Sequence, residues 1–323
     1  MPLVTVIVPN YNHRPYLAER LDSLFAQRFE DYEVLLLDDA STDESPAFLA
    51  TYRDHPKVSG VILNSENSGN TFHQWKKGIA AAKGRYIWLA ESDDRTAPTL
   101  LPSLVAKLEA DPSCVLAYCQ SRRIDKDGQV IGDWRGWTEP LAPGLYDRDF
   151  DMDGAGFAER LLLHRNVIPN ASAVLFRRDA YLASGEADPS IRYCGDWFVW
   201  LKLAMQGRIA FHAQALNDFR QHDKSVIATR RATSGEIFRK KYDLIMRQAF
   251  DRHLDGMSGP GTDAVRRKNR ALLRQEAASE GLLLARHKQA EAAAYFAMAR
   301  DGAPAGERLA LSLRRLWAGL RGR

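Results

Sequence analysis

The stretch Gly84-Arg-Tyr-Ile-Trp-Leu-Ala-Glu-Ser-Asp-Asp94 decides the reading of this chain. Residues 85–90 form a short apolar run rich in aromatic and β-branched side chains, the composition of a strand inside a sheet. The run ends abruptly in acid. Glu91, Asp93 and Asp94 fall within four positions of one another, and their charges repel unless something positive lies among them.

Outward from that strand, the first 130 residues alternate short apolar runs with helical patterns, which argues for a parallel sheet with crossover helices. Strands are expected over residues 4–8, 32–37, 58–63, 85–90 and 115–120. Helices are expected over 16–26, 45–53, 71–82 and 98–109, the first with Leu17, Leu21, Leu24 and Phe25 on one face. Polar side chains gather after the strands' carboxyl ends, the edge where open α/β sheets bind ligands. Residues 125–157 break into Gly, Pro, Trp and acidic residues, which predicts an irregular insertion lying over that edge. Residues 157–164 read as helical, 172–176 as strand and 196–206 as helix. Beyond residue 225 the pattern is helical only. The expected division is an α/β domain over 1–230 and a helical extension over 231–323.

Composition narrows the class of protein. The chain has 323 residues, 45% hydrophobic and 27% charged, with three cysteines and a net charge of +4. No run reaches the 18 or so apolar residues that span a bilayer, and residues 1–9 are too short for a signal core. Cys114, Cys119 and Cys194 have neither metal-like spacing nor disulfide density, which suits reduced thiols in a cytoplasmic protein. The charge is uneven: residues 261–323 carry 13 Lys and Arg against six Asp and Glu, leaving the rest slightly acidic.

Strand two ends in Asp38-Asp39 and strand four in Glu91-Ser-Asp-Asp94. If both open on one sheet edge, five carboxylates converge and require a cation. Oxygen ligands, with no Cys/His cluster to favour zinc, suit Mg²⁺ or Mn²⁺. Taken singly, each cluster serves equally well as helix caps and turn residues.

The order of the pieces resembles the family 2 glycosyltransferases of GT-A fold. It is carried by Val6-Ile-Val-Pro-Asn-Tyr-Asn12, Leu37-Asp-Asp-Ala-Ser-Thr-Asp43, Asn67-Ser-Gly69, Gly78, Gly84-Arg-Tyr-Ile87 and Glu91-Ser-Asp-Asp94, across residues 3–226. The resemblance implies a Rossmann-like mixed sheet flanked by helices, binding a nucleotide-diphospho-sugar donor and a saccharide or lipid-linked saccharide acceptor. It implies that Pro9, Tyr11 and Asp39 line the nucleotide pocket, Asp39 reading the base, with Asp93 and Asp94 holding ribose and metal-bound diphosphate. Asn67 and Lys76 complete the donor side. Bacterial surface polysaccharide assembly is the expected setting.

An inverting transfer needs a base for the attacking hydroxyl. Asp196, at the start of an apolar helix in Tyr193-Cys-Gly-Asp-Trp-Phe-Val-Trp200, matches the family's late acidic motif, which often reads Glu-Asp where this chain has Gly195. Arg220, Lys224 and Ser225 resemble the family's diphosphate-binding segment, with His222 available to complete the metal's coordination. A solvated basic loop is the plain alternative. The family's Ala-Arg-Asn is replaced by Gln74-Trp-Lys76, so Lys76 stands where nucleotide contacts are expected.

At the far end, Leu309, Leu313, Leu316, Trp317 and Leu320 fall at helical spacing with arginines on the other sides. Such a helix either lies on anionic lipid or packs against protein. A catalytically silent nucleotide-sugar-binding scaffold is the rival to an enzyme. A nucleotidyltransferase lacks support, since no Gly-rich phosphate loop follows the first strand. Nucleic acid is disfavoured, because the tail's arginines flank leucines rather than stacking aromatics.

Overall fold

A computed structural model describes residues 1–191, 193–223, 242–286, 291–306, 308 and 310–312. Lys224, Ser225 and most of the carboxyl-terminal amphipathic pattern lie outside the described residues. The chain separates into two compact units, Met1–Thr229 and Arg230–Arg323.

The first unit is built on one mixed sheet. Strand β1 (Val4–Asn10) lies between β2 (Tyr32–Asp38) and β4 (Tyr86–Leu89), parallel to both, and β3 (Val58–Leu63) extends the parallel half beyond β2. Every residue of β1, β2 and β4 is buried, as befits strands covered on both faces. Helices α1 (Arg14–Phe25), α2 (Ser45–Ala50) and α3 (Thr71–Ala81) make the crossovers. Helix α1 starts with a proline in its first turn and buries Leu17, Arg20, Leu21 and Leu24, the i, i+3, i+4, i+7 stripe of a helix on a core. Helix α3 is capped by Asn70, whose side chain accepts from the Phe72 N–H.

The other half departs from a simple parallel sheet. After β5 (Arg95–Thr96) and α4 (Leu100–Ala110), the long β6 (Cys114–Ile124) is separated from β4 by β9 (Val174–Arg177), which runs antiparallel to both. The strand β10 (Arg208–Arg220), which the sequence reading left unassigned, pairs parallel with β6 and antiparallel with β5. Its ladder shifts register at three places, so the alternation that marks a strand is broken. Strands β7 (Val130–Asp133) and β8 (Phe150–Met152) stitch the insertion to β6 and β10. Between them lies a single turn, α5 (Arg135–Thr138). The expected helix over 157–164 is a turn of α-helix, α6 (Gly154–Phe157), followed by π-helix at Ala158–Leu162. Helix α7 (Arg178–Ala183) follows β9, and α8 (Gly195–Ala204) precedes β10.

In the second unit residues 242–255 form helix α9, followed by α10 (Pro260–Arg286) and α11 (Ala292–Arg300). Leu244, Ala277, Ala278, Ala299 and Leu311 form one buried cluster there. Among the described residues no helix is long and apolar enough to cross a membrane.

Two glycines set how closely the elements approach. A Cβ on Gly78 would lie 2.5 Å from Ile7 Cγ2, so α3 presses directly on β1. A Cβ on Gly84 would lie 2.4 Å from the Thr5 backbone nitrogen, and the Gly84 N–H donates to Thr5 Oγ1 at 2.8 Å. Gly84→Ala is expected to lower unfolding free energy in urea by about 2 kcal/mol or more, since backbone cannot yield as a side-chain tip can. An unchanged midpoint contradicts this packing.

Candidate active site

The parallel pairing of β2 and β4 on either side of β1 brings both acid clusters to one sheet edge, with β2 and β4 about 10 Å apart across β1. The two clusters are satisfied in different ways. Asp38 accepts from Asn10 Nδ2 at 2.7 Å, from the Ser41 N–H at 2.8 Å and from Ser41 Oγ at 2.7 Å. Asp39 accepts from Asn64 Nδ2 and Gln74 Nε2, each at 2.7 Å, and from the N–H and hydroxyl of Ser68. Neutral donors therefore hold the β2 acids without any ion, which corrects the expectation that all five carboxylates share one cation.

Tyr11 is exposed beside this pair, and Pro9 is buried within β1. Asn67 Nδ2 donates to the Asp39 carbonyl at 2.8 Å. Pro9, Tyr11, Asp39 and Asn67 thus come together. Asn12 and Ala40, at φ 57° and 58°, turn the chain here in the left-handed region, and Asn12 Oδ1 accepts from the Thr42 N–H at 2.8 Å. Lys76 points elsewhere and pairs with Glu186 at 2.8 Å. Gln74 binds Asp39, and Trp75 Nε1 donates to Glu91 at 2.9 Å, so the departed Gln-Trp-Lys segment supports both acid clusters.

The β4 acids have a resident positive charge that the sequence reading missed. Arg20 of α1 is fully buried, its guanidinium carbon 5.1 Å from the centroid of Trp88. Among the described residues, none of its guanidinium nitrogens has a hydrogen-bond partner. Burial lowers its pKa to about 10, and the charges of Asp94, Asp93 and Glu91 work to raise it. It stays a cation at neutral pH. The signal lay in position: Arg20 occupies a place on the apolar stripe of α1.

Around that charge the acids divide. Asp94 faces inward. It accepts from the Arg220 backbone N–H at 2.9 Å and from Asn170 Nδ2 at 2.5 Å, and Asn170 in turn accepts from Asn217 Nδ2 of β10 at 3.0 Å. Burial and the neighbouring Asp93 push the Asp94 carboxyl up to about 7. Burial likewise raises Glu91 to about 8, with Asp93 adding to it and the Trp75 hydrogen bond opposing it. Asp93 goes the other way: burial acts to raise it, but the His222 hydrogen bond and the charges of His13 and His222 hold it below the usual carboxylate range.

The ligand atoms of His13, Asp93 and His222 lie within 4.8 Å of one another. His222 Nε2 stands 3.0 Å from Asp93 Oδ2, and Nδ1 of the same ring is buried without a hydrogen-bond partner among the described residues. Two imidazoles and a carboxylate fit a divalent transition ion. The histidines assemble through folding rather than sequence spacing, and the group within ligand reach of one another is His13, Asp93 and His222; Asp94 stands beside it with both oxygens accepting from protein donors.

Arg220 is also redirected. It is 1% exposed, with Nε donating to the Asp93 carbonyl at 2.7 Å, Nη1 to the carbonyls of Asp125 and Lys126, and Nη2 to Glu19. All three guanidinium nitrogens donate to protein, so Arg220 braces the acid loop.

Helix α8 stands against α3, its Trp200 ring 6.1 Å from Trp75. Asp196, in the first turn of α8, accepts from Asn166 Nδ2 at 3.0 Å. Burial raises its pKa above the ordinary value, against the Trp197 N–H and the Asn166 hydrogen bond. Trp197 and Trp200 are both buried. Gly195 has a steric cause: a Cβ there would lie 2.4 Å from the Phe72 ring.

Residues 5–163 match the family model described as Glycosyl transferase family 2. The chain is a member of glycosyltransferase family 2 through that stretch. The family 2 chain is 30% identical over 222 residues to the uncharacterized protein Rv1520 of Mycobacterium tuberculosis, covering 68% of this chain and 59% of that one. It therefore spans about three fifths of the length of the first curated relatives it matches. It is 28% identical over 157 residues to an Escherichia coli chondroitin synthase, covering 47% of this chain and 22% of the synthase. Its fold is similar to the mannosyltransferase PcManGT from Pyrobaculum calidifontis in complex with GDP-Man and Mn²⁺, at TM-score 0.60 and 21% identity, covering 99% and 86% of the two chains. That likeness establishes the GT-A fold.

The family 2 chain's buried arginine has a measurable consequence. Asp94 and Glu91 bind protons more tightly folded than unfolded, so each contributes stability that is lost as pH rises through its folded pKa, about 7 and about 8. Arg20→Leu raises both pKa values further. Metal-free unfolding free energy, measured in urea from about pH 5 to about pH 9, is expected to fall with pH and to go on falling to higher pH in the variant, for a larger total loss. A fall that ends at lower pH in Arg20→Leu contradicts its role as counter-charge.

Proposed function

We propose that the protein is an inverting, metal-dependent glycosyltransferase that moves a sugar from a nucleotide-diphosphate donor to a hydroxyl of a saccharide or lipid-linked saccharide, in the assembly of a surface polysaccharide. The observation that carries this is the His13/Asp93/His222 cluster at the same edge of a family 2 sheet as Asp39, with the helix that bears Asp196 packed on α3, whose Trp75 binds Glu91 and whose Gln74 binds Asp39. The polysaccharide class rests on the chondroitin synthase likeness, and the choice of a divalent ion on the local donor set and the Mn²⁺ in the PcManGT complex.

His13, Asp93 and His222 would hold the ion. When bound, it stabilises the negative charge that grows on the departing diphosphate. Tyr11 and Asp39 receive the base, with Asn67 bracing the Asp39 backbone. Asp196 takes the proton from the attacking hydroxyl as the new C1–O bond forms. The old C1–O bond to phosphate breaks with its electron pair leaving on the diphosphate. Attack from the face opposite the leaving group inverts the anomeric carbon. The raised pKa of Asp196 suits this work, since an ordinary carboxylate is a weak base near neutrality.

Asp196→Asn is expected to lower turnover by about 10²- to 10⁴-fold while leaving nucleoside-diphosphate affinity by calorimetry unchanged; substantial residual transfer contradicts the assignment. Asn166→Ala removes a hydrogen bond that lowers the Asp196 pKa, so the acid limb of the rate profile moves to higher pH. A limb that stays in place or moves to lower pH contradicts the coupling. His222→Ala is expected to weaken Mn²⁺-dependent UDP or GDP binding by about 10- to 100-fold, with binding in EDTA little changed. Equal loss in both conditions removes His222 from the ion site. A chain that binds nucleotide sugars but transfers none, under saturating Mn²⁺ and a broad acceptor set, is a scaffold instead.

A further inference from the structure

The insertion between β6 and α6 carries an exposed tryptophan two hydrogen bonds from the proposed base. Trp137 in α5 is 40% exposed, yet it is firmly held. Its indole N–H donates to the Asn166 carbonyl at 2.8 Å, and its own carbonyl accepts from Arg165 Nη1 at 2.7 Å. The Arg165 guanidinium carbon lies 4.8 Å from the ring centroid. Trp134 backs it with ring centroids 6.1 Å apart and stands 5.9 Å from Phe219 of β10, so the aromatic pair is rooted on the sheet. Asn166 is the link. Its carbonyl holds Trp137 and its side-chain amide donates to Asp196 at 3.0 Å.

An aromatic face fixed in place and ringed by planar polar groups matches the two-sided chemistry of a pyranose. The sugar's C–H face is apolar, and its edge hydroxyls are donors and acceptors. With Arg165 and Trp134 both packed on it, the ring is held in place, and the two-fifths of the residue that stays exposed is open to a ligand. Asp133 and Arg135, paired at 2.9 Å in the same segment, offer further groups for hydroxyls. A lipid surface or a protein partner is less well matched, because each calls for a broad apolar patch. The nearby exposed residues Val130 and Ile131 are consecutive in β7 and point to opposite faces, so they do not extend the apolar area around Trp137.

We propose that Trp137 is the stacking platform for the acceptor pyranose, with Arg165 engaging its hydroxyls and Asn166 setting the spacing between platform and base. This deepens the transferase reading and rests on it.

The test uses the full chain with ¹⁵N-labelled tryptophan indoles, the Trp137 resonance being identified by its loss in Trp137→Phe. Octyl glycosides of glucose, galactose, mannose and N-acetylglucosamine are titrated in, with UDP or GDP and Mn²⁺ titrated separately into the same samples. At least one glycoside is expected to shift the Trp137 resonance. Trp137→Ala is expected to weaken that binding by about tenfold while nucleotide affinity stays within about twofold. No glycoside shift at Trp137, equal glycoside affinity in Trp137→Ala, or a shift caused only by anionic phospholipid vesicles overturns the platform. Nucleotide binding with an unmoved Trp137 keeps the transferase reading and discards the platform. A glycoside shift without any nucleotide binding supports the platform as a saccharide site and discards the transfer.

Discussion

A buried guanidinium beneath three carboxylates is the constraint on which the sheet edge depends. Arg20 has no exposed surface and, among the described residues, no hydrogen-bond partner, so its charge is met through space by the acids of β4, of which Asp93 stays ionised and Asp94 and Glu91 are partly protonated near neutrality. Removing one member of such a set leaves uncompensated charge in a medium of low polarisability, which costs several kcal/mol by analogy with broken buried ion pairs. The arginine accounts for the acids' proximity before any metal arrives. What remains for an ion is the outward-facing Asp93, whose pKa the histidines already hold low.

This divides the acids into an inner and an outer role. Asp94 ties the β4 loop to β10 and, through Asn170 and Asn217, to β6, where Asn217 Nδ2 also donates to Ser121 Oγ at 2.9 Å. Arg220 completes the brace by binding the Asp93 carbonyl. A buried hydrogen-bonded network of this kind is stiff, and a stiff loop can present Asp93 at a fixed distance from His13 and His222. A π-helix at Ala158–Leu162 lies near the other end of the site. Its wider turn ends just before the segment that carries Asn166 to Asp196.

The parallel half of the sheet was legible because its strands are continuous apolar runs, and β3 begins and ends where the sequence pattern does. Strand β10 was not, since Ala, Gln, Asn and Asp have weak strand preference and its register shifts erase the period of two. Single carboxylates could be picked out from their motifs, but their orientation could not: whether Asp93 or Asp94 faces outward depends on donors from β10 and the segment around Asn170, far away in sequence. His13 and His222 are 209 positions apart, and only the return of β10 to the sheet edge unites them. Gly195 looked like a missing carboxylate, whereas the Phe72 ring occupies the space a side chain there would need.

The central claim is that Asp93 faces outward with two histidines to take the ion while Asp94 faces inward to hold the fold. Anomalous diffraction at the manganese edge, from crystals grown with Mn²⁺ and a nucleoside diphosphate, tests it most directly. The account predicts a single strong peak about 2.2 Å from an Asp93 oxygen and from imidazole nitrogens of His13 and His222. A peak ligated by Asp94, or one bound by the diphosphate alone with the histidines turned away, would contradict it.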